Sequence, residues 1–429
     1  MSRYIIEGGF PIRGRVRASG NKNAALPCLA ATLLTDEAVV LSNVPDIEDV
    51  QVMMDILREL GARIESRGPG EWEIRCASAT GTEIPEEAAM KVRASILFAG
   101  PLLGRSGRVV LPPPGGDVIG RRRLDTHFLA LKSLGASVEV NGRFILTANK
   151  LAGLDLFLDE ASVTATENAV MAAVKAEGET IIRNAASEPH VQDLCRMLNA
   201  MGARIEGIGS NILRIRGVPV LGGCSYRIGA DFMEVGSLIG LAAATGGEIT
   251  IEQADPEHLR MCRIAFGKLG ISWKVDGRDI HVAADQDMKV VQDMGGMIPQ
   301  IDDAPWPGFP PDLTSIITVV ATQVDGTVLI HEKMFESRMF FVDKLITMGA
   351  GIILCDPHRA VVTGPRRLRG AVLTSPDVRA GMAMVIAAMA ARGRSEIRNV
   401  YQIERGYEDL TGRLRKLGAH IERLGDEEC

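Results

Sequence analysis

At 429 residues the chain is too long for one ordinary hydrophobic core, so two domains are expected. Apolar residues make up 46 % and charged residues 24 %, a mix that excludes a disordered chain. The net charge of −6 and the 4 % aromatic content argue against a nucleic-acid binder, which needs a basic field and stacking platforms.

The start, MSRYIIEGGFPIRGRVRASG, lacks the long apolar stretch of a secretory signal. No apolar run approaches the roughly 20 residues that span a bilayer. Seven cysteines are scattered without CxxC or His-spaced clusters, which favours reduced thiols over a disulfide or zinc framework. Together these features predict a cytoplasmic protein with no membrane partner.

Further along, a short motif recurs: LGARIE at 60–65, LGASVE at 134–139, MGARIE at 201–206, LGISWK at 269–274, MGAGII at 348–353 and LGAHIE at 417–422. Successive starts differ by 74, 67, 68, 79 and 69 residues. Ahead of the first motif, Val50, Met53, Met54, Leu57 and Leu60 share one helical face. The motif glycine then stands where a C′ residue ends that helix. Strands are expected in 176–185, 324–332 and 391–400. The unit is therefore βαβαββ, and six units make two three-unit α/β domains. A solenoid competes with this, but units of this length exceed the usual solenoid period.

A second helix start lies ahead of each motif, in NKNAAL, VRASIL, VTATEN, DFMEVG, LTSIIT and VRAGMA. One slot in these segments holds Lys22, Arg93, Thr164, Met233, Thr314 and Arg379, with acids two residues earlier at Asp231, Asp312 and Asp377. Helix N-termini carry partial positive charge and free N–H donors, so each is a potential anion seat. The acids double as cap candidates, Asp231 most readily. Between repeats, LPPPGGDVIGRRRLDTH (111–127) places Asp117 on a Pro/Gly-rich tip followed by three arginines. Such a composition predicts an ordered, hinged loop rather than a helix or central strand.

SGNKNAALP, VRAS, GGDVIGRR, LDTH, SVTAT, FPPD, FESR, DVRA and ERGYE, in this order, resemble the UDP-N-acetylglucosamine 1-carboxyvinyltransferase family of enolpyruvyl transferases. The similarity runs from about residue 4 to residue 423. It implies an α/β inside-out barrel of two domains, 21–230 and 1–20 plus 231–429, with the active site in the cleft between them. It also implies the reaction: the 3′-hydroxyl of UDP-N-acetylglucosamine attacks C2 of phosphoenolpyruvate and phosphate leaves, which opens peptidoglycan precursor synthesis. No metal and no organic cofactor is implied.

Residue by residue, the resemblance assigns Lys22, Asn23, Arg122, Arg379 and Arg405 to phosphoenolpyruvate. Arginine suits this because its planar fork meets phosphate or carboxylate bidentately. Arg93, Arg122, Arg123, Leu124, Asp125, Ser162, Val163, Asp312 and Met334 match positions lining the sugar-nucleotide site, and Asp231 and Asp377 support it. Of the three consecutive arginines, Arg121 and Arg123 are expected to be peripheral.

Asp312 is the candidate base for the 3′-hydroxyl, and its alternative role is a helix N-cap. Lys22 and Arg405 join it in the catalytic set with Asp117, the candidate proton donor to C3. Most relatives carry a cysteine at the loop position of Asp117. The chain also departs from the family pattern at Glu160, Thr164, Phe232, Ser337, Gln402 and Arg123, changes expected to crowd the nucleotide side. Two other readings are a paralogue using a different nucleotide or sugar-nucleotide acceptor and a non-catalytic nucleotide-sugar-binding barrel. The shikimate-pathway sibling is disfavoured, because no Asn-Ala-Gly-Thr segment is found.

Overall fold

The structure, a computed structural model, describes residues 2–116 and 123–425. All six repeat glycines adopt positive φ: Gly61 (101°), Gly135 (109°), Gly202 (100°), Gly270 (73°), Gly349 (100°) and Gly418 (88°). A side chain there would be strained, which is why glycine recurs at the point where each outer helix stops. The apolar face read from the sequence is inside: Val50, Met53, Met54, Leu57 and Leu60 on and just after the helix Glu48–Glu59 are 0–2 % exposed.

One complete repeat shows the grammar. The strand Asp155–Phe157 leads into the helix Val163–Ala173, then the strand Glu179–Arg183, the outer helix Pro189–Ala200 and the strands Arg204–Glu206 and Ile212–Arg216. Asp155–Phe157 pairs in parallel with Glu179–Arg183, and the other two strands add antiparallel on its far side. Five four-stranded sheets share this plan, and one three-stranded sheet has a parallel bridge from Glu83 to Val110 in place of the edge strand.

The described residues divide into two compact units, 20–116 with 123–229 and 2–19 with 230–425. Each has three sheets and its own apolar core. The sheet built on Val39–Ser42 takes its parallel edge strand from Cys224–Arg227, which closes the first unit on itself. In the second unit Arg13–Arg17 is the edge strand beside Glu248–Glu252. Arg3–Gly8 lies between Gly393–Arg398 and His420–Leu424. These pairings tie the chain's start to the second unit.

Helices occupy the middle of each unit. In the second, Phe232–Thr245, Thr314–Ala321 and Val378–Ala390 pack on one another pairwise. Residues 232–243, 314–321 and 378–389 are all buried, as a helix apolar on every side requires. The strands instead alternate, as in Ile212–Arg216, where only Leu213 and Ile215 point inward. Each unit is thus helices inside and sheets outside. No helix among the described residues is long and apolar enough to cross a membrane.

Candidate active site

The six-fold slot found in the sequence lies at the starts of the inner helices. Lys22 opens the helix Lys22–Ala31, Arg93 opens the 3-10 helix Arg93–Phe98, and Thr314 opens its helix. Thr164, Met233 and Arg379 stand one residue further in.

In the first unit, Asn21 caps its helix by accepting from Ala24 N (3.2 Å). Lys22 and Asn23 then stand in the first turn, where the helix dipole favours an anion. The Lys22 ammonium lies 2.6 Å from the Asp49 carboxylate, and both side chains are nearly buried. Asp49 was not foreseen, because its position in the first turn of an outer helix is an ordinary one for an acid. Asp49→Ala strands a buried ammonium and is expected to cost about 3–5 kcal/mol by denaturant titration. Asp49→Asn, which keeps a hydrogen-bond acceptor, should cost less.

Ser162 caps Val163–Ala173, accepting from Ala165 N (3.5 Å). Beside this start a polar network runs inward. Gly100 N donates to Asn168 Oδ1 (2.7 Å), and Asn168 Nδ2 donates to Ile96 O (2.8 Å). With its amide so oriented, Asn168 Nδ2 also donates to His127 Nδ1 (2.9 Å). His127 is therefore neutral with its proton on Nε2, and it donates to Thr164 Oγ1 (3.1 Å). Burial first, and the charge of Arg93 second, push the imidazole down to about 3.

A histidine lowered on folding supplies stability that is complete above about pH 6.5 and is lost as the pH falls toward the folded value. Between those limits His127 should contribute an acid slope of about 1.4 kcal/mol per pH unit. A His127→Gln variant should lack that slope in stability measured from pH 7 to pH 4.

Arg93 Nη2 donates to Arg123 O (3.4 Å), and Arg123 Nε pairs with Asp125 (2.9 Å) in an exposed position. Leu124 immediately precedes the helix Asp125–Ser133. On the other side of the loop, Gly115 and Gly116 lie against Met90 and Arg93. A Cβ on Gly115 would come within 1.7 Å of Met90 O, and one on Gly116 within 3.0 Å of the Arg93 side chain. These two glycines therefore serve close approach to the 90–93 segment. Asp117, Arg121 and Arg122 lie outside the described residues.

In the second unit Asp231 and Asp377 are caps. Asp231 accepts from Met233 N (2.9 Å) and Glu234 N (3.2 Å), and Asp377 from Arg379 N (2.8 Å) and Ala380 N (2.9 Å). Asp312 differs from both. The cap position of Thr314–Ala321 is Leu313, with no side-chain cap bond, so the cap role for Asp312 is corrected.

Asp312 instead bridges two buried arginines, accepting from Arg338 Nη2 (2.6 Å) on Oδ1 and Arg379 Nε (3.1 Å) on Oδ2. Burial alone would raise its pKa, but Arg338 and then Arg379 outweigh it and hold the carboxyl well below the usual range. Asp312 is thus a fixed anion that can accept a proton. Arg379 also sits over the Tyr407 ring (5.3 Å), and its buried Nη1 has no acceptor among the described residues. Arg338 and Tyr407 were missed; FESR and ERGYE contained them, but nothing local marks them.

Arg405 is buried and donates to Gln402 Oε1 (3.1 Å). Met334 is 40 % exposed, and Phe335 beside it carries Arg338 over its ring (4.7 Å). Two of the departures have clear neighbours within the fold. Phe232 is a core residue, 1 % exposed and edge-on to Trp306 (5.7 Å), and Gln402 braces Arg405. Apolar packing explains the first and a hydrogen bond the second.

The family model for EPSP synthase (3-phosphoshikimate 1-carboxyvinyltransferase) matches residues 6–414. The chain is 64 % identical to a UDP-N-acetylglucosamine 1-carboxyvinyltransferase of Treponema denticola, over 98 % of this chain and 99 % of that one. Its identity to the protein of the same name from Treponema pallidum is 65 %, over 99 % and 100 %. Among solved structures, the enolpyruvyl transferase NikO from Streptomyces tendae superposes with a TM-score of 0.87 at 23 % identity, covering 99 % of each chain. EPSP synthase from Acinetobacter baumannii does so with 0.76 at 17 %, covering 99 % and 100 %. The last two likenesses bear on the fold alone.

Proposed function

The chain belongs to the EPSP synthase family and, within it, to the UDP-N-acetylglucosamine 1-carboxyvinyltransferases, and from that premise we propose how its own residues carry the transfer. The enolpyruvyl group of phosphoenolpyruvate passes to the 3′-hydroxyl of UDP-N-acetylglucosamine and phosphate is released, the entry to peptidoglycan precursor synthesis. Full-length identity of 64–65 % to enzymes of that name is the observation that carries this reading.

Phosphoenolpyruvate presents a phosphate and a carboxylate, and Lys22, Asn23, Arg122, Arg379 and Arg405 hold them. The Nη1 of Arg379 supports this, because a buried guanidinium N–H with no acceptor among the described residues suits an incoming anion. Arg93, Arg122, Arg123, Leu124, Asp125, Ser162, Val163 and Met334 receive the sugar nucleotide, whose diphosphate suits the N-terminus capped by Ser162.

Asp312 takes the proton of the 3′-hydroxyl. Its low proton affinity is no obstacle, since a hydroxyl bonding to an electron-poor C2 becomes strongly acidic as the bond forms. Asp117 delivers a proton to C3, and in the second half of the reaction C3 is deprotonated as phosphate leaves. Arginines nearby favour the Asp117 carboxylate, whereas the substrate's charges engage those arginines and desolvation favours the acid. The reaction is placed in the cytoplasm, where both substrates are found. A phosphate-release assay with both substrates tests the reading: release that depends on UDP-N-acetylglucosamine is expected, and its absence would overturn it.

A further inference from the structure

A second acid pair lies behind the Asp312 cluster. The strands Gln300–Asp302 and Gly326–His331 run in parallel with Asp302 opposite His331. The next residue of each, Asp303 and Glu332, therefore leaves the sheet side by side. Both are buried, at 1 % and 0 % exposure.

One oxygen of each is committed to backbone. Asp303 Oδ1 accepts from Lys333 N, and Glu332 Oε1 accepts from Met334 N (3.3 Å) and Phe335 N (3.1 Å). The other oxygens, Asp303 Oδ2 and Glu332 Oε2, have no donor among the described residues. The Glu332 carboxyl has that of Asp303 as its neighbour, and these donorless oxygens are what each has left to offer the other. Carboxylate oxygens only accept, so a bond between two of them requires a proton.

We propose that Asp303 and Glu332 are positioning residues that share one buried proton and thereby hold the 333–338 segment, with Met334 and Arg338, in the shape that binds the sugar nucleotide. The inference rests on the reading of Met334 and Asp312 given above. The segment is anchored at its ends, Lys333 on Asp302 and Arg338 on Asp312 at 2.6 Å, while Met334 between them is 40 % exposed. Three successive backbone N–H groups, of Lys333, Met334 and Phe335, end on the two carboxyls. Taking the proton away leaves two adjacent buried anions, whose repulsion separates the carboxyls and the N–H groups they hold.

The surroundings agree. Burial first, then the bond to Asp303 and its charge, push Glu332 up to about 8, with Arg338 opposing. The other groups facing the pair are Thr314 from its helix start, His358, whose Nδ1 lies 2.8 Å from Glu332 O, and Lys333, which turns to Asp302. An acid raised on folding stabilises the fold most below about pH 4.5, and that contribution is lost as the pH rises through about 8. At neutral pH the proton is in place.

The test is the affinity for UDP-N-acetylglucosamine by calorimetry at pH 7 and pH 9. If binding needs the protonated pair, Kd should rise about tenfold between these values. In Glu332→Gln the amide donates to Asp303 without titrating, so the rise should fall below twofold. Asp303→Asn should do the same and stands in if the first variant misfolds. Ionisation of the uracil ring is common to all three proteins and cancels. A flat wild-type profile, or an unchanged rise in a folded variant, overturns the proposal.

A ligand-free readout separates this from the reading of function. Carboxyl-edited infrared difference spectra should show a protonated acid at pH 7 that is lost by pH 9 and is absent from Glu332→Gln. No such band at pH 7 also overturns the proposal, whereas failure of phosphate release alone strikes the functional reading.

Discussion

Replacing Asp117 by asparagine is expected to lower kcat by about 10²–10⁴-fold, the usual contribution of a positioned general acid. Asparagine keeps the size and one acceptor of aspartate but has no acidic proton for C3. The KM values for both substrates should move much less, because in the proposed mechanism Asp117 acts on the reacting carbon and not on the anions. Phosphate release under single-turnover conditions reads this directly, and near-normal activity removes Asp117 from the mechanism. The same side chain makes a second expectation. The epoxide antibiotic fosfomycin alkylates a thiolate at this loop position in the family, and a carboxylate is a far poorer nucleophile for it. Intact mass after incubation should show no adduct on the wild type and a stable one on Asp117→Cys.

The second large effect is expected at Asp312. Asp312→Asn removes the proposed proton acceptor and leaves Arg338 and Arg379 without their shared anion. The rate should fall by about 10²-fold or more, and stability by on the order of 3 kcal/mol, read by denaturant titration. Because both arginines hold the folded carboxyl below its ordinary value, the stability it supplies is complete above about pH 4 and is lost as the pH falls through the folded value. The wild type should therefore weaken below pH 4 along a limb that the asparagine variant lacks. A variant with full activity and wild-type stability at neutral pH would show that the bridge at 2.6 and 3.1 Å carries neither role.

Lys22 is paired with Asp49 at 2.6 Å, whereas Arg379 shares one carboxylate with Arg338 and has an Nη1 with no acceptor among the described residues.

What the chain determined by itself was whatever repeats or acts locally. Six glycines in equivalent places specified where the outer helices stop, since only glycine takes positive φ there without strain. The periodic apolar face at 50–60 specified which side of that helix is buried. Asp231 and Asp377 could be read as caps because a cap bonds to its own backbone two or three residues on.

Tertiary structure alone decided the long-range partners. Nothing near Lys22 names Asp49, nothing near Asp312 names Arg338 and Arg379, and a local rule offered Asp312 a cap that it does not form. Phe232 stood out only as a departure from the family pattern, and its packing against Trp306 belongs to the tertiary structure. Likewise Asp303 and Glu332, 29 positions apart in the chain, meet only because two parallel strands carry them in register. Local rules act within a turn of helix, while ion pairs and shared protons depend on which sheets and helices the fold brings within a few ångström.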